Sequence, residues 1–441
     1  MATLETSVAT DPKIPPGLKS PGARAWLVLG MLCFVYVLNF LDRQLLAILA
    51  KPIQDTLHIT DGQLGLIGGL YFALFYCFIA IPVGWLADRT NRVRVLSLAC
   101  ALWSAATMAC GVAATYPQLV GARMAVGIGE AGGVPPSYAI VTDYFPPGRR
   151  ATALGIFNLG PPIGQALGVA FGASIAAAYS WRHAFVILGG VGVLTALLVI
   201  LLVREPRRGQ FDEQTKGMPT ATAGFKETVA MFFSQRALVL AAVAAGTTQI
   251  ITYGAGNFTT LFLIREKGMT LQQIAMYYSL IVLFGMGGGI GVSGRVIDYF
   301  TRRSKRSYAI IPAVALVFAV PPFIAFIGAP SWQLALLFLL GPAFFNYFYL
   351  SSVVALVQEE VAPQQRVLSG ALLLLVMNFM GLGLGPTFVG AASDFFRASH
   401  YGHSLQLAFY ALIPCYVVAI ALFIWLARVL GRERSPIGVT R

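Results

Sequence analysis

Twelve apolar stretches divide this chain: 25–49, 63–86, 95–114, 118–141, 152–178, 183–203, 237–264, 272–298, 309–328, 332–357, 367–392 and 404–427. Each approaches or exceeds the roughly 20 residues that a helix needs to cross a bilayer. Numbered in chain order as spans one to twelve, they predict an all-α membrane protein. A soluble reading fails on composition, because 57% of the residues are hydrophobic and only 11% are charged. Such a chain could not cover its surface with polar groups in water.

The connections are short except for 204–236, a charged link between spans six and seven. Its second part, Phe225 to Phe233, has the pattern of an amphipathic helix lying on the membrane surface. The expected layout is a tail at 1–22, a six-helix bundle at 23–203, the link at 204–236, a second bundle at 237–428 and a tail at 429–441. Two pseudo-symmetric bundles of six follow. The tail at 1–22 lacks the basic-apolar-small pattern of a cleaved signal, so span one is expected to act as an uncleaved signal-anchor.

The net charge of +13 is explained by topology rather than by nucleic acid. With the N-terminus in the cytoplasm, 24 Lys and Arg fall in that side's tails and loops. The other side holds five: Lys51, Arg182, Arg265, Lys267 and Arg397. Both termini are therefore expected in the cytoplasm, in a cell membrane. The five cysteines, Cys33, Cys77, Cys100, Cys110 and Cys415, all sit in apolar segments without metal-ligand spacing. They are expected to be buried small hydrophobes. No metal and no cofactor is expected.

A repeat supports the two halves. Gly84, Asp88 and Arg92 follow span two, and Gly294, Asp298 and Arg302 follow span eight at one common offset of 210 residues.

The stretch Gly84-Trp85-Leu86-Ala87-Asp88-Arg89-Thr90-Asn91-Arg92 resembles the signature loop of the major facilitator superfamily. Arg123-x-x-x-Gly127-x-Gly129-Glu130-Ala131 in span four is a second resemblance, and Gly160-Pro161-Pro162-Ile163-Gly164 a weaker third. Together they cover all twelve spans. The second copy of the loop departs from the pattern, with Tyr299 where the family has Arg, which implies a weaker latch there. Asn39-Phe40-Leu41-Asp42-Arg43, Gly127 to Ala131, and Pro135 to Phe145 followed by Arg149-Arg150 are similar to the spinster-like branch. That branch is associated with lysolipids and sphingoid phosphates. An Asp-Arg pair in span one also occurs in organic-anion symporters of the superfamily. The resemblance further implies that Asp88 pairs with a first-half Arg and meets a helix N-terminus of the second half. Gly84, Arg89, Arg92, Asp143 and Asp298 would complete this cytoplasmic gate.

Of 18 acidic residues, only Asp42 and Glu130 lie well inside spans, and Arg43 and Arg123 are the only bases there. A charge at the helix centre costs about 2.5–3.5 kcal/mol on insertion scales, so function is the default reading. Arg123 and Glu130 are seven residues apart, about two turns, and share a face roughly 10 Å apart. The economical arrangement pairs Asp42 or Glu130 with Arg123 across spans one and four. Burial favours a neutral acid and a nearby guanidinium favours the carboxylate, so making or breaking that pairing would move protons. An anionic head group would compete for Arg43 or Arg123. A static cluster that only fixes helix packing is the competing reading.

The second half offers Gln249, Tyr253, Asn257 and Phe258 in span seven, Phe345 and Tyr347 in span ten, and Asn378 in span eleven, with no charge in the span cores. A charged first-half wall facing an apolar-aromatic second-half wall suits an amphipathic solute. The expected function is a monomeric, proton-coupled transporter working by alternating access, with a lipid-like substrate, protons and membrane lipids as partners. A carrier or exporter of small organic anions or drugs is the alternative, and a receptor or scaffold is a third. An enzyme is disfavoured, because no nucleophile-base or metal constellation occurs. Gly127-x-Gly129-x-x-Gly132 mimics a dinucleotide fingerprint, but it sits in an apolar helix without a preceding strand.

Overall fold

The computed structural model of the protein describes residues 22–208, 225–362, 365–399 and 402–432. Among these residues every regular element is helical. Eleven helices are long and apolar enough to cross a membrane: Ala23–Ile48, Asp61–Ala87, Arg92–Val112, Thr152–Ala178, Trp181–Leu202, Arg236–Arg265, Leu271–Thr301, Ser307–Gly328, Trp332–Glu360, Leu368–Ala398 and Ser404–Arg432. They are spans one to three and five to twelve.

Span four is built as two helices, Tyr116–Glu130 and Val134–Tyr144, rather than the single stretch expected from its hydropathy. Pro135 and Pro136 stand in the first turn of the second piece. Lacking N–H groups, they cannot bond the carbonyls of Ala131 and Gly132. The chain between turns instead: the Gly132 N–H donates to the Gly129 carbonyl at 3.1 Å and the Gly133 N–H to the Glu130 carbonyl at 3.0 Å. Span eleven is disturbed for a similar reason. Pro386 cannot donate to the Leu382 carbonyl, and the helix widens into π turns over Phe379–Leu384. Within the link, Phe225–Ser234 is a short helix that buries Phe232 and leaves Phe225 and Phe233 exposed.

Small residues set the helix spacing inside each half, as they do in membrane bundles generally. A Cβ on Gly129 would stand 2.5 Å from the backbone nitrogen of Trp103 in span three, and one on Gly127 would stand 2.8 Å from the Phe72 carbonyl oxygen in span two. These glycines bring span four against two neighbours at once.

The halves meet along spans one and seven, two and eleven, and five and eight. At one end of the bundle this contact is a clasp of charge. Asp61 opens span two, with a side chain fully buried. Its carboxylate accepts Arg265 Nη1 at 2.8 Å, Gln54 Nε2 at 2.6 Å, Ser393 Oγ at 2.7 Å, and Arg397. Arg265 ends span seven, and Ser393 and Arg397 lie near the end of span eleven. Asp394 reciprocates by accepting the N–H groups of Asp61 at 3.1 Å and Gly62 at 2.8 Å, at the positive end of the span-two helix dipole.

At the other end three ion pairs lie within a half. Arg92 Nη1 meets Asp143 at 2.6 Å and Arg92 Nε meets Glu205 at 2.6 Å, while Lys305 pairs with Glu360. The molecule is thus clasped across the halves at its Asp61 end.

Two outcomes follow from this packing. Gly129→Leu forces spans three and four apart, and overpacking of this kind costs about 1–3 kcal/mol. The detergent-solubilised variant should melt several degrees below the wild type, whereas a neutral change at the exposed Gly121 should not. Asp61→Asn leaves Arg265 and Arg397 without their shared anion. Hydrogen-exchange mass spectrometry should then find the amides of Asp61 and Gly62 exchanging at least tenfold faster, with Asp55→Asn as an unaffected control.

Candidate functional site

The four mid-span charges of the first half lie within electrostatic reach of one another. Asp42 and Arg43 are adjacent in a helix and so point about 100° apart. Asp42 turns toward span three and accepts the Thr107 hydroxyl. Arg43 turns toward span four and the space between the halves. Its Nε donates to Glu130 Oε2 at 2.6 Å, with side-chain exposures of 10% and 0%. Aromatic rings hold the guanidinium, whose carbon lies 4.5 Å from the centroid of Tyr76, 5.0 Å from Phe40 and 5.5 Å from Phe72. Contacts of this kind are stronger away from water.

The pairing therefore differs from the one expected. Glu130 is bound by Arg43, not by Arg123. The reason is helix geometry: two turns separate Arg123 from Glu130, and the side chain from span one arrives first. Arg123 is buried, its guanidinium carbon lies 5.2 Å from the centroid of the Phe72 ring, and it stays within electrostatic reach of both Asp42 and Glu130. Among the described residues, several polar atoms of this group have no hydrogen-bond partner: Asp42 Oδ1, Glu130 Oε1, Arg43 Nη2, Arg123 Nε and Nη1, and both polar side-chain atoms of Asn39. Buried polar atoms left open in this way are costly and call for an explanation.

Arg43 and Arg123 line a cavity of about 120 Å³ between the halves. Of the second-half residues expected on its wall, Tyr253, Asn257 and Tyr347 are there. Four others are placed elsewhere. Phe258 lies one position past Asn257 and is turned fully into the helix core. Phe345 packs in an aromatic cluster with Phe318, Phe344 and Phe348. Gln249 is buried against Gly381 of the widened turn in span eleven, and Asn378 stands where that turn begins. The shared cause is that a helix offers the cavity only one face in about 3.6 residues.

Sequence reasoning passed over Gln44 and Gln165, which line the same cavity and join spans one and five through a 3.1 Å hydrogen bond. It also passed over Tyr278 on the opposite wall. Uncharged polar residues in apolar runs were the available signal. The clasp at Asp61 was missed as well, although Arg265 and Arg397 stood out as bases on the side with few of them.

The residues expected to form a gate lie at the other end. Arg89 is exposed and stacks on Trp85 at 4.0 Å, Asp298 is exposed, and Gly84 has open space around it. Arg92 and Asp143 are joined within the first half, with Glu205 as a third member that the sequence did not suggest. The Asp88 side chain lies outside the described residues. A carboxylate meeting a helix N-terminus across the halves is found at the opposite end, in Asp394.

Comparison with known proteins places this architecture. The chain is 31% identical over 410 residues to an MFS-type efflux pump of Mycolicibacterium smegmatis, covering 92% of each. It is 25% identical over 407 residues to Protein spinster homolog 3 of Danio rerio, covering 87% of this chain and 80% of that one. Among solved structures, a bacterial homolog of the human lysosomal transporter Spinster, inward-facing and unoccupied, superposes with a TM-score of 0.86 at 30% identity, covering 94% of this chain and 99% of that one. The family model for the Major Facilitator Superfamily matches residues 32–386. With its helical halves, its central cavity and this match, the chain belongs to the Major Facilitator Superfamily, and it is a multi-pass membrane transporter resembling the spinster branch.

Proposed function

We propose that the protein is a secondary-active transporter that couples proton movement to an amphipathic anion of the lysolipid or sphingoid-phosphate type. The observation that carries this reading is the buried Arg43–Glu130 pair on the wall of the cavity between the halves. Protonating Glu130 removes its charge and releases the Arg43 guanidinium. A phosphate or carboxylate head group then takes the vacated place, as a charge-assisted partner of Arg43 and of the open Nε and Nη1 of Arg123. Asp42, with one oxygen on Thr107 and the other unpartnered, is the second proton acceptor.

In this reading the end rich in Lys and Arg faces the cytoplasm of a cell membrane, with both termini on that side. The Asp61 clasp then closes the outer face. Opening that clasp while the Arg92 end closes exposes the site alternately to the two sides. Asp88, Arg89 and Asp298 act in the closing of the cytoplasmic end, which explains why Arg89 and Asp298 stand exposed in this state.

A second reading, transport of small organic anions or drugs, is favoured by the cavity itself. About 120 Å³ holds a head group and leaves an acyl tail outside it. The similarity to an efflux pump points the same way. A thermal-shift screen of the purified protein distinguishes the two. Sphingoid phosphates or lysolipids should raise the melting temperature by several degrees, and Arg43→Gln should weaken their binding at least tenfold. Stabilisation by sugar acids or dicarboxylates alone selects the second reading.

Coupling is tested in proteoliposomes. Glu130→Gln should abolish accumulation driven by a pH gradient while downhill exchange persists, and Asp42→Asn should reduce its proton dependence. If both variants retain full proton-dependent transport, the coupling scheme is wrong.

A further inference from the structure

A second concavity opens on the outside of the bundle, between spans nine and twelve, away from the central site. It measures about 710 Å³. One wall is the face of span nine bearing Ile310, Val314 and Val317, spaced four and three residues apart. The other is the face of span twelve bearing Ile420, Ile424 and Ala427, at the same spacings. Both walls follow the helical period, so each is a continuous apolar ridge. Ile310, Val314, Val317 and Ile424 are 44–52% exposed, which leaves the trough between them uncovered by protein.

The end of the trough is basic. Arg306, just before span nine, and Arg428 and Arg432, in the last turns of span twelve, line it together. All three are exposed, and none is in an ion pair among the described residues. The Arg306 guanidinium rests on Gly431, where a Cβ would fall 2.2 Å from its Nε. Span twelve therefore makes room for this side chain at that place.

We propose that this trough is a binding site for one anionic phospholipid of the surrounding leaflet, its phosphate held by Arg306, Arg428 and Arg432 and one acyl chain lying between the two ridges. Three features support that occupant. From Arg306 to Phe318, the trough runs 12 residues, about 18 Å at 1.5 Å per residue, against about 15 Å for one leaflet's hydrocarbon. The guanidinia stand at helix ends, the level of lipid head groups, where basic pockets between spans take anionic lipids. A second copy of the chain is disfavoured, because a two-fold contact through this face brings three uncompensated guanidinia against three others.

Native mass spectrometry of the full-length protein, equilibrated with equal amounts of phosphatidylglycerol and phosphatidylcholine, tests this. The wild type should retain one phosphatidylglycerol at least fivefold in preference to phosphatidylcholine. Arg306→Gln/Arg428→Gln/Arg432→Gln should reduce that preference to about one. Should the triple variant not fold, Val317→Trp, which fills the trough and keeps the arginines, should give the same loss. The proposal is overturned by no preference in the wild type, by an undiminished preference in both variants, or by full competition by millimolar glycerol phosphate, which would make the site one for a free anion. A loss of dimer rather than of lipid in the variants overturns it in favour of a second copy.

Discussion

Ionised groups in the middle of an oily bundle are tolerated only where other groups of this protein answer their charge, and the Arg43–Glu130 contact is where that requirement is met most directly. The contact draws span one against span four, and the rings of Phe40, Phe72 and Tyr76 keep the guanidinium in place. Removing either partner leaves a bare charge where water is scarce, which costs more than the pair contributes when intact. Gly127, which lets span four lie on Phe72, is four residues from Arg123 and three from Glu130 and so shares their face. Packing and electrostatics are thus one arrangement on this helix.

The two ends of the molecule use the same chemistry to different effect. At Asp61 the partners come from both halves, so the carboxylate joins rigid bodies. At Arg92, which opens span three, the partners come from the end of span four and the start of the link, so the same kind of ion pair ties parts of the first half together. In the proposed alternating access, a contact across the halves is one that can be exchanged, whereas a contact within a half travels with it. The backbone amides of Asp61 and Gly62 add a neutral, directional component that fixes which helix end meets which carboxylate.

Much of this was readable in the linear chain. Hydropathy located the spans because lipid forces the backbone to bond within itself. The four rare charges located the site because their burial is expensive. The partner of each charge was not readable, since Arg43 and Arg123 are equivalent in type and differ only in the rotation of their helices. The wall residues Phe258 and Phe345 were misplaced for the same reason, a matter of one position along a helix. The Asp61 clasp was hidden because its members lie at the ends of three different spans, over 300 residues apart in the extreme case of Asp61 and Arg397. No local pattern connects them.

The break in span four has a mechanical meaning. Glu130 is the last helical residue before the turn at Ala131–Gly133, and its own carbonyl oxygen bonds to Gly133 rather than continuing a regular helix. The segment beyond, Val134–Tyr144, carries Asp143 and through it the Arg92–Glu205 cluster. In the proposed alternating access, a joint placed there lets the far segment swing with that cluster while the near one keeps Arg123 and Glu130 seated. In the proposed coupling the acidic side chain next to the joint is the one that feels the swing, so that gaining or losing a single proton is read as torque at the far end of the helix.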